Sequence, residues 1–177
     1  MITRLKCECF TAFDNLDISF SPGVNIIIGE NGTGKTHILK AVYSACDITR
    51  SKKNFAEKIN DVFYPSGKQL GRLVKRSKGS SNGFLEISRD ITSGKDMMLK
   101  LSFSNHTTTS EGAKVNGSAK WTDFPMESVF IPVKDMMANA PGFRSLYSLR
   151  NLSFEEIYAD IIDRAFLPAL KGPMDKD

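Results

Sequence analysis

The chain has 177 residues, of which 41% are hydrophobic and 25% charged, enough for one α/β domain and too few for two independent ones. Apolar runs as short as Ile26-Ile27-Ile28 fall far below the ~20 residues that span a bilayer. The start Met1-Ile2-Thr3-Arg4-Leu5-Lys6 mixes charge into its apolar positions, unlike a secretory signal, so a cytoplasmic protein is expected. The net charge of +4 is local: residues 50–78 hold nine Lys and Arg against only Glu57 and Asp61, and the rest of the chain is slightly acidic. Such a segment can attract a phosphate backbone by releasing counterions, or form an ordinary solvated face.

The first residues, Ile2 to Phe10, read as a strand, and Leu16 to Phe20 alternate at period two, with Asp14-Asn15 as the expected turn between them. Ser21-Pro22-Gly23 then breaks the chain before Val24-Asn25-Ile26-Ile27-Ile28, whose composition suits a strand buried on both faces. After a glycine-rich stretch, Ile38, Leu39, Val42, Tyr43 and Cys46 recur at helical spacing, predicting a helix of about three turns that ends near Asp47. A shorter helix is expected around Asn54 to Phe63, stopped by Pro65, and Arg76 to Gly83 has loop composition. Phe84 to Ser88 and Met97 to Phe103 read as a hairpin turning around Ser93 to Asp96. Asn105 to Lys120 is expected to be a polar surface excursion, and Ser128 to Val133 a short apolar strand. Ser153-Phe154-Glu155-Glu156 has the form of a capping box for a helix whose apolar face holds Ile157, Tyr158, Ile161, Ile162, Ala165 and Phe166.

Three cysteines, Cys7, Cys9 and Cys46, are an odd number without metal-site spacing, and are expected to be reduced structural thiols. With His37 and His106 as the only histidines, a metal hydrolase or a Cys/His nucleophile is disfavoured.

The segment that carries chemistry is Gly29-Glu30-Asn31-Gly32-Thr33-Gly34-Lys35-Thr36, which satisfies the phosphate-binding pattern G-x-x-x-x-G-K-[ST] between an expected strand and an expected helix. Its glycines let successive N–H groups converge on phosphates, and the helix adds its positive end. Lys35, the one residue expected to act in catalysis, should pair with the β- and γ-phosphates of ATP, and the Thr36 hydroxyl should ligate Mg²⁺. His37, the next residue, is either a phosphate contact or a solvent-facing helix residue.

The form GENGTGKT, preceded by 28 residues that include CECFTAFDNLDISFSPGVNIII, resembles the ATP-binding-cassette class and, within it, the RecF, SMC and OLD-like group of DNA-associated ATPases. Phe130 to Met137 is similar to a segment of bacterial AAA-family or OLD-like ATP-binding proteins. The resemblance implies an α/β fold: a P-loop NTPase core lobe with a leading antiparallel β-subdomain. On that reading residues 1–177 form a single ATP-binding lobe. Leading strands occupy 1–23; strand, loop and helix 24–48; a basic helix and loop 49–83; a β-rich segment 84–135; and a helical segment 136–177. In the family, leading-strand residues flank the adenine, which would involve Arg4, Phe10 and Phe13, although core packing explains these residues as well.

The departures from the family are as informative. Hydrolysis in this class uses a Walker B strand ending in an Asp and a Glu that polarises water, and Ser128 to Asp135, the nearest candidate, is interrupted by Pro132 and lacks the Glu. Neither an LSGGQ-like signature nor a switch histidine follows. The expected protein is therefore the N-terminal part of a longer ATPase, or the product of a shortened gene, binding ATP and hydrolysing it poorly or not at all alone. The resemblance implies a dimer through nucleotide-binding domains, with ATP as the switch, serving DNA transactions or phage defence, and contact with DNA through residues 50–78. A self-contained small P-loop kinase and a non-enzymatic nucleic-acid-binding module remain the alternatives.

Overall fold

The alternation that the sequence carries in its first nineteen residues folds into β1 (Ile2–Phe10) and β2 (Phe13–Ser19). The computed structural model describes residues 1–91, 95–132, 140–150 and 154–167. Phe10 pairs with Phe13, so the chain reverses at Thr11-Ala12, and Asp14 and Asn15 belong to β2 rather than to the expected turn. Cys9 and Thr11 take positive φ values of 47° and 52° there, and this is where the chain leaves the strand.

β3 (Asn82–Ile91) and β4 (Lys95–Ser104) form the expected hairpin, each longer than the periodicity suggests. With β5 (Lys114–Asn116) they complete a five-stranded sheet of order β2-β1-β3-β4-β5, antiparallel throughout. Register places one face's side chains in continuous rows: Leu16, Cys7, Leu85, Leu101 and Val115 lie side by side, as do Ile18, Leu5, Ile87 and Leu99. From β1 to β4 these residues are buried. The opposite face is charged, with Lys100 on Glu86 at 2.7 Å and Lys6 on Glu8 at 3.0 Å.

Two helices cover the apolar face. α1 (Lys35–Ser51) runs 17 residues, past the expected stop at Asp47, and ends at Lys52 in the left-handed region. α2 (Phe55–Phe63) starts at Asn54, whose side chain accepts from the Ala56 N–H at 2.8 Å, and ends before Pro65. Between them Lys58, fully buried, meets Asp47 at 2.8 Å and lies 5.2 Å from the Tyr43 ring centroid. A buried ammonium persists in the folded state only when paired in this way.

The polar stretch 105–120 is more than a surface excursion. It contains β5 and the start of α3 (Ser118–Thr122), which brings Trp121 into the core, where its indole N–H donates to the Ala45 carbonyl at 2.7 Å.

Two expected strands do not form. Residues 24–30 have no regular structure, and Val24, Ile26 and Ile28 are 87%, 79% and 89% exposed. A strand buried on both faces needs neighbours on both sides, and no described strand pairs with this segment. Residues 128–132 are likewise irregular, with Val129 and Ile131 exposed, and residues 133–135 of the Walker B candidate lie outside the described residues.

The chain divides into two compact units, 1–129 and 130–177, where the sequence suggests a single lobe. The second holds α4 (Ala140–Arg150) and α5 (Ile157–Ala165). Their contact buries Ala140, Phe143 and Ile162, with Tyr147 and Tyr158 packed against them, and Arg144 pairs with Asp163. Ser153 of the expected capping box, Met136-Met137 and Pro168 lie outside the described residues. α5 begins at Ile157 with Glu156 as N-cap, which makes no side-chain capping bond.

Candidate nucleotide-binding site

Gly29 to Gly34 form an exposed loop that delivers the chain into the first turn of α1, and Gly34 is its one buried residue. Gly32 and Gly34 adopt φ values of 82° and 96°, which side-chain-bearing residues rarely take. At Gly34 a Cβ would meet the Phe13 ring at 2.5 Å and Ala12 at 3.1 Å, so glycine is required both by conformation and by the tip of the β1–β2 hairpin. The Thr33 hydroxyl donates to the Glu30 carbonyl at 2.8 Å, closing the loop across itself.

Lys35 folds back over this loop, its ammonium donating to the carbonyls of Gly29 at 2.7 Å and Glu30 at 2.6 Å. Thr36 stands exposed beside it. The first turn of α1 carries no acidic residue and no side-chain cap, so the N–H groups of Lys35 and Thr36 are left to attract an anion. Asn31 is exposed on the loop.

These residues fit a nucleoside triphosphate with Mg²⁺. Glycines at positive φ turn the backbone, a lysine already lies along the loop, and a threonine hydroxyl stands at the helix start. One hydroxyl ligand is what a cation that retains several waters and binds substrate phosphates asks of the protein.

His37 does not simply face solvent. Its ring packs on Phe63 of α2 with centroids 5.6 Å apart, while its backbone N–H donates to the Gly34 carbonyl at 2.9 Å. Phe10 is buried among Phe63 and Phe103, as core packing predicts. Arg4 lies on the charged face, its Nε donating to Asp17 at 2.7 Å, and this pairing holds the Asp17 carboxyl below its ordinary range. Phe13 alone of the three touches the loop.

Two contributors to the site were not singled out from sequence. Ala12 joins Phe13 in confining Gly34. Asn25 staples the approach to the loop, accepting from the Ser21 N–H at 3.0 Å and donating to the Ser21 carbonyl at 2.9 Å. Its signal is the Pro22-Gly23-x-Asn25 spacing, which the resemblance already contained.

The basic segment separates on folding. Arg50 pairs with Glu127, Lys53 with Asp61, Lys58 with Asp47 and Lys75 with Asp14, while Lys52 donates to the Thr122 carbonyl. Lys68, Arg72, Arg76 and Lys78 are exposed. Residues 73–75 bracket the β1–β2 hairpin, with Thr11 N–H donating to Leu73 at 2.7 Å and Lys75 N–H to Cys9 at 2.9 Å.

All three cysteines are free thiols. Burial pushes Cys7 up to about 12 and Cys46 to about 11. No helix among the described residues is long and apolar enough to cross a membrane.

A glycine-rich loop closed across itself at the head of a helix, beside an antiparallel sheet, fits a mixed α/β lobe of the P-loop ATPase kind. The family model described as AAA domain matches residues 4–129, and the chain belongs to that family. The match ends where the first compact unit ends. Among curated relatives, the DNA replication and repair protein RecF of Halalkalibacterium halodurans is 52% identical over 42 residues, covering 24% of this chain and 11% of the relative. RecF of Limosilactobacillus fermentum is 27% identical over 112 residues, covering 63% of this chain and 29% of the relative. The chromosome partition protein Smc of Synechocystis is 28% identical over 122 residues, covering 68% of this chain and 9% of the relative. The chain thus spans under a third of the length of the relatives it matches.

Proposed function

We propose that this chain is the ATP·Mg²⁺-binding portion of a RecF/SMC-like ATPase that works on DNA, in replication, repair, chromosome handling or phage defence. The observation that carries the reading is the loop itself: Lys35 lies along the Gly29 and Glu30 carbonyls at the uncapped start of α1. On nucleotide arrival Lys35 exchanges these carbonyls for β- and γ-phosphate oxygens, and the loop N–H groups, with Gly32 and Gly34 turning the chain, take the remaining phosphate charge. Thr36 would hold Mg²⁺ through its hydroxyl, and the ion would supply neutralisation of phosphate charge.

Hydrolysis, on this reading, requires residues supplied from outside this chain, with a Glu to polarise water. The exposed run Val24, Ile26 and Ile28 supports it, because an apolar, β-branched segment leading into the loop pairs with no strand among the described residues. Strands from a C-terminal portion would flank it and bring the catalytic carboxylates to the loop. ATP would then join two such domains head to tail, in the cytoplasm, with Lys68, Arg72, Arg76 and Lys78 as the DNA-facing cations.

Calorimetric titration of ATP with Mg²⁺ into this chain and into Lys35→Ala, with phosphate release followed in the same samples, tests the reading. Binding that is lost in the variant, without phosphate release, is the expected result. Turnover by this chain alone would overturn the need for a second portion, and equal binding by both proteins would overturn the site.

A further inference from the structure

Arg89, near the end of β3, is 2% exposed. Its guanidinium lies 4.4 Å from the Trp121 ring centroid and 6.0 Å from that of Phe124. Nη1 donates to the Phe124 carbonyl at 2.9 Å and Nη2 to the Trp121 carbonyl. These bonds tie the end of α3 to the sheet, and the last carbonyls of a helix favour a cation. They leave its charge unmatched. Both acceptors are neutral, Nε is buried with no hydrogen-bond partner, and no carboxylate among the described residues pairs with it. Arginine keeps its charge in proteins, and a buried charge without a counter-ion is costly.

Arg89 lines a cleft of about 420 Å³ together with Met1, whose α-ammonium donates to the Asp90 carbonyl at 2.9 Å. Ile91, Phe124 and Met126 give it apolar walls, and Asp90 also lines it. Each Nη carries a second N–H beyond the one given to a carbonyl. We infer that the cleft is a binding site for a small aromatic carboxylic acid, its carboxylate on the Arg89 guanidinium and its ring against Phe124 and Met126. With the Arg89 guanidinium, the Met1 α-ammonium and the Asp90 carboxylate the lining carries one net positive charge, which a single carboxylate matches, and a flat apolar body suits the walls. A phosphate dianion fits worse, because its second charge exceeds the one net positive charge of Arg89, Met1 and Asp90 and its hydration shell meets apolar side chains.

The site is separate from the nucleotide loop. Met126 N–H donates to the Thr49 hydroxyl in the last turn of α1 at 2.8 Å, whereas Lys35 opens the helix, about 20 Å away along its axis. The inference stands whether or not the loop binds ATP.

Trp121 is the single tryptophan, so its fluorescence and its indole N–H resonance report on the Arg89 guanidinium stacked on it. Titration of the full chain with benzoate should shift both saturably, equally in Lys35→Ala. Benzamide, the neutral isostere, should bind roughly tenfold more weakly, as loss of a charge-assisted pair requires, and inorganic phosphate should leave the signals unmoved. Asp90→Asn should tighten benzoate binding, and Met126→Asp, which leaves the Arg89 bonds intact, should abolish it. The inference is overturned if benzoate produces no saturable shift, if benzamide equals benzoate, if phosphate displaces it, or if folded Met126→Asp binds it normally.

Discussion

β1 and the segment Val24 to Ile28 are apolar, strand-forming runs in the same first thirty residues, and they meet opposite fates. β1 has β2 on one side and β3 on the other, and its Leu5 and Cys7 are buried within rows that cross the sheet. Val24, Ile26 and Ile28 have richer β-branched character and stand in solvent. The difference lies in pairing. β-propensity describes how a side chain fits a half-buried pleated surface, and the surface has to be supplied by neighbours.

The largest effect expected of the closed region comes from its buried ion pair. Asp47→Ala removes the carboxylate 2.8 Å from the buried Lys58 ammonium, and should destabilise the chain by about 3–5 kcal/mol in urea unfolding. Ile87→Ala, in the centre of the sheet, should lose about 2–4 kcal/mol, whereas Ile26→Ala should stay within about 0.5 kcal/mol in this chain. If the two isoleucine variants lose equal stability, segment 24–28 is packed in solution and the contrast fails. Restoring the strand's neighbours should sharpen the contrast: with a C-terminal portion of a relative added, Ile26→Ala should begin to weaken association.

A smaller effect is expected at the boundary between the two regions. Gly34→Ala forces a side chain into the Phe13 ring at a φ of 96°, a strain of about 1–3 kcal/mol, and calorimetry should find ATP binding lost. The smallest concerns the thiols. A Cys7 pKa raised to about 12 means that its contribution to stability is complete below the unfolded thiol range, near 8.5. It declines as pH rises from there towards 12, so the chain should lose stability in mild alkali. Iodoacetamide should modify half-buried Cys9 before buried Cys7 and Cys46, as peptide mapping would reveal.

Legibility in the sequence followed the same division. The β1–β2 pair, the β3–β4 hairpin, α1, α2 and the loop Gly29 to Thr36 could all be read locally, because alternation, helical spacing and glycine placement are local signals. The strand at 24–28 was misread, since composition records the burial a segment is suited to and not whether a partner is there. β5 and α3 escaped because elements of three and five residues leave almost no periodicity, and only Trp121 hinted that the polar stretch returns to the core. Lys35 and Thr36 followed from the motif, but the turning of His37 onto Phe63 depended on α2, which is distant in sequence. The basic segment looked uniform because charge counts ignore partners such as Glu127 and Asp14, which come from other parts of the chain.

The contact between Gly34 and Phe13 makes the hairpin tip and the nucleotide loop mechanically one piece. There is no slack between them, so a loop that changes shape around phosphates displaces the Phe13 ring or is held back by it. The tip is itself gripped through Thr11 and Lys75 by the strip that displays Arg72 and Arg76. A fluorine label on the Phe13 ring would therefore serve as a strain gauge for the loop, reading its occupancy from the tip of the hairpin packed against Gly34.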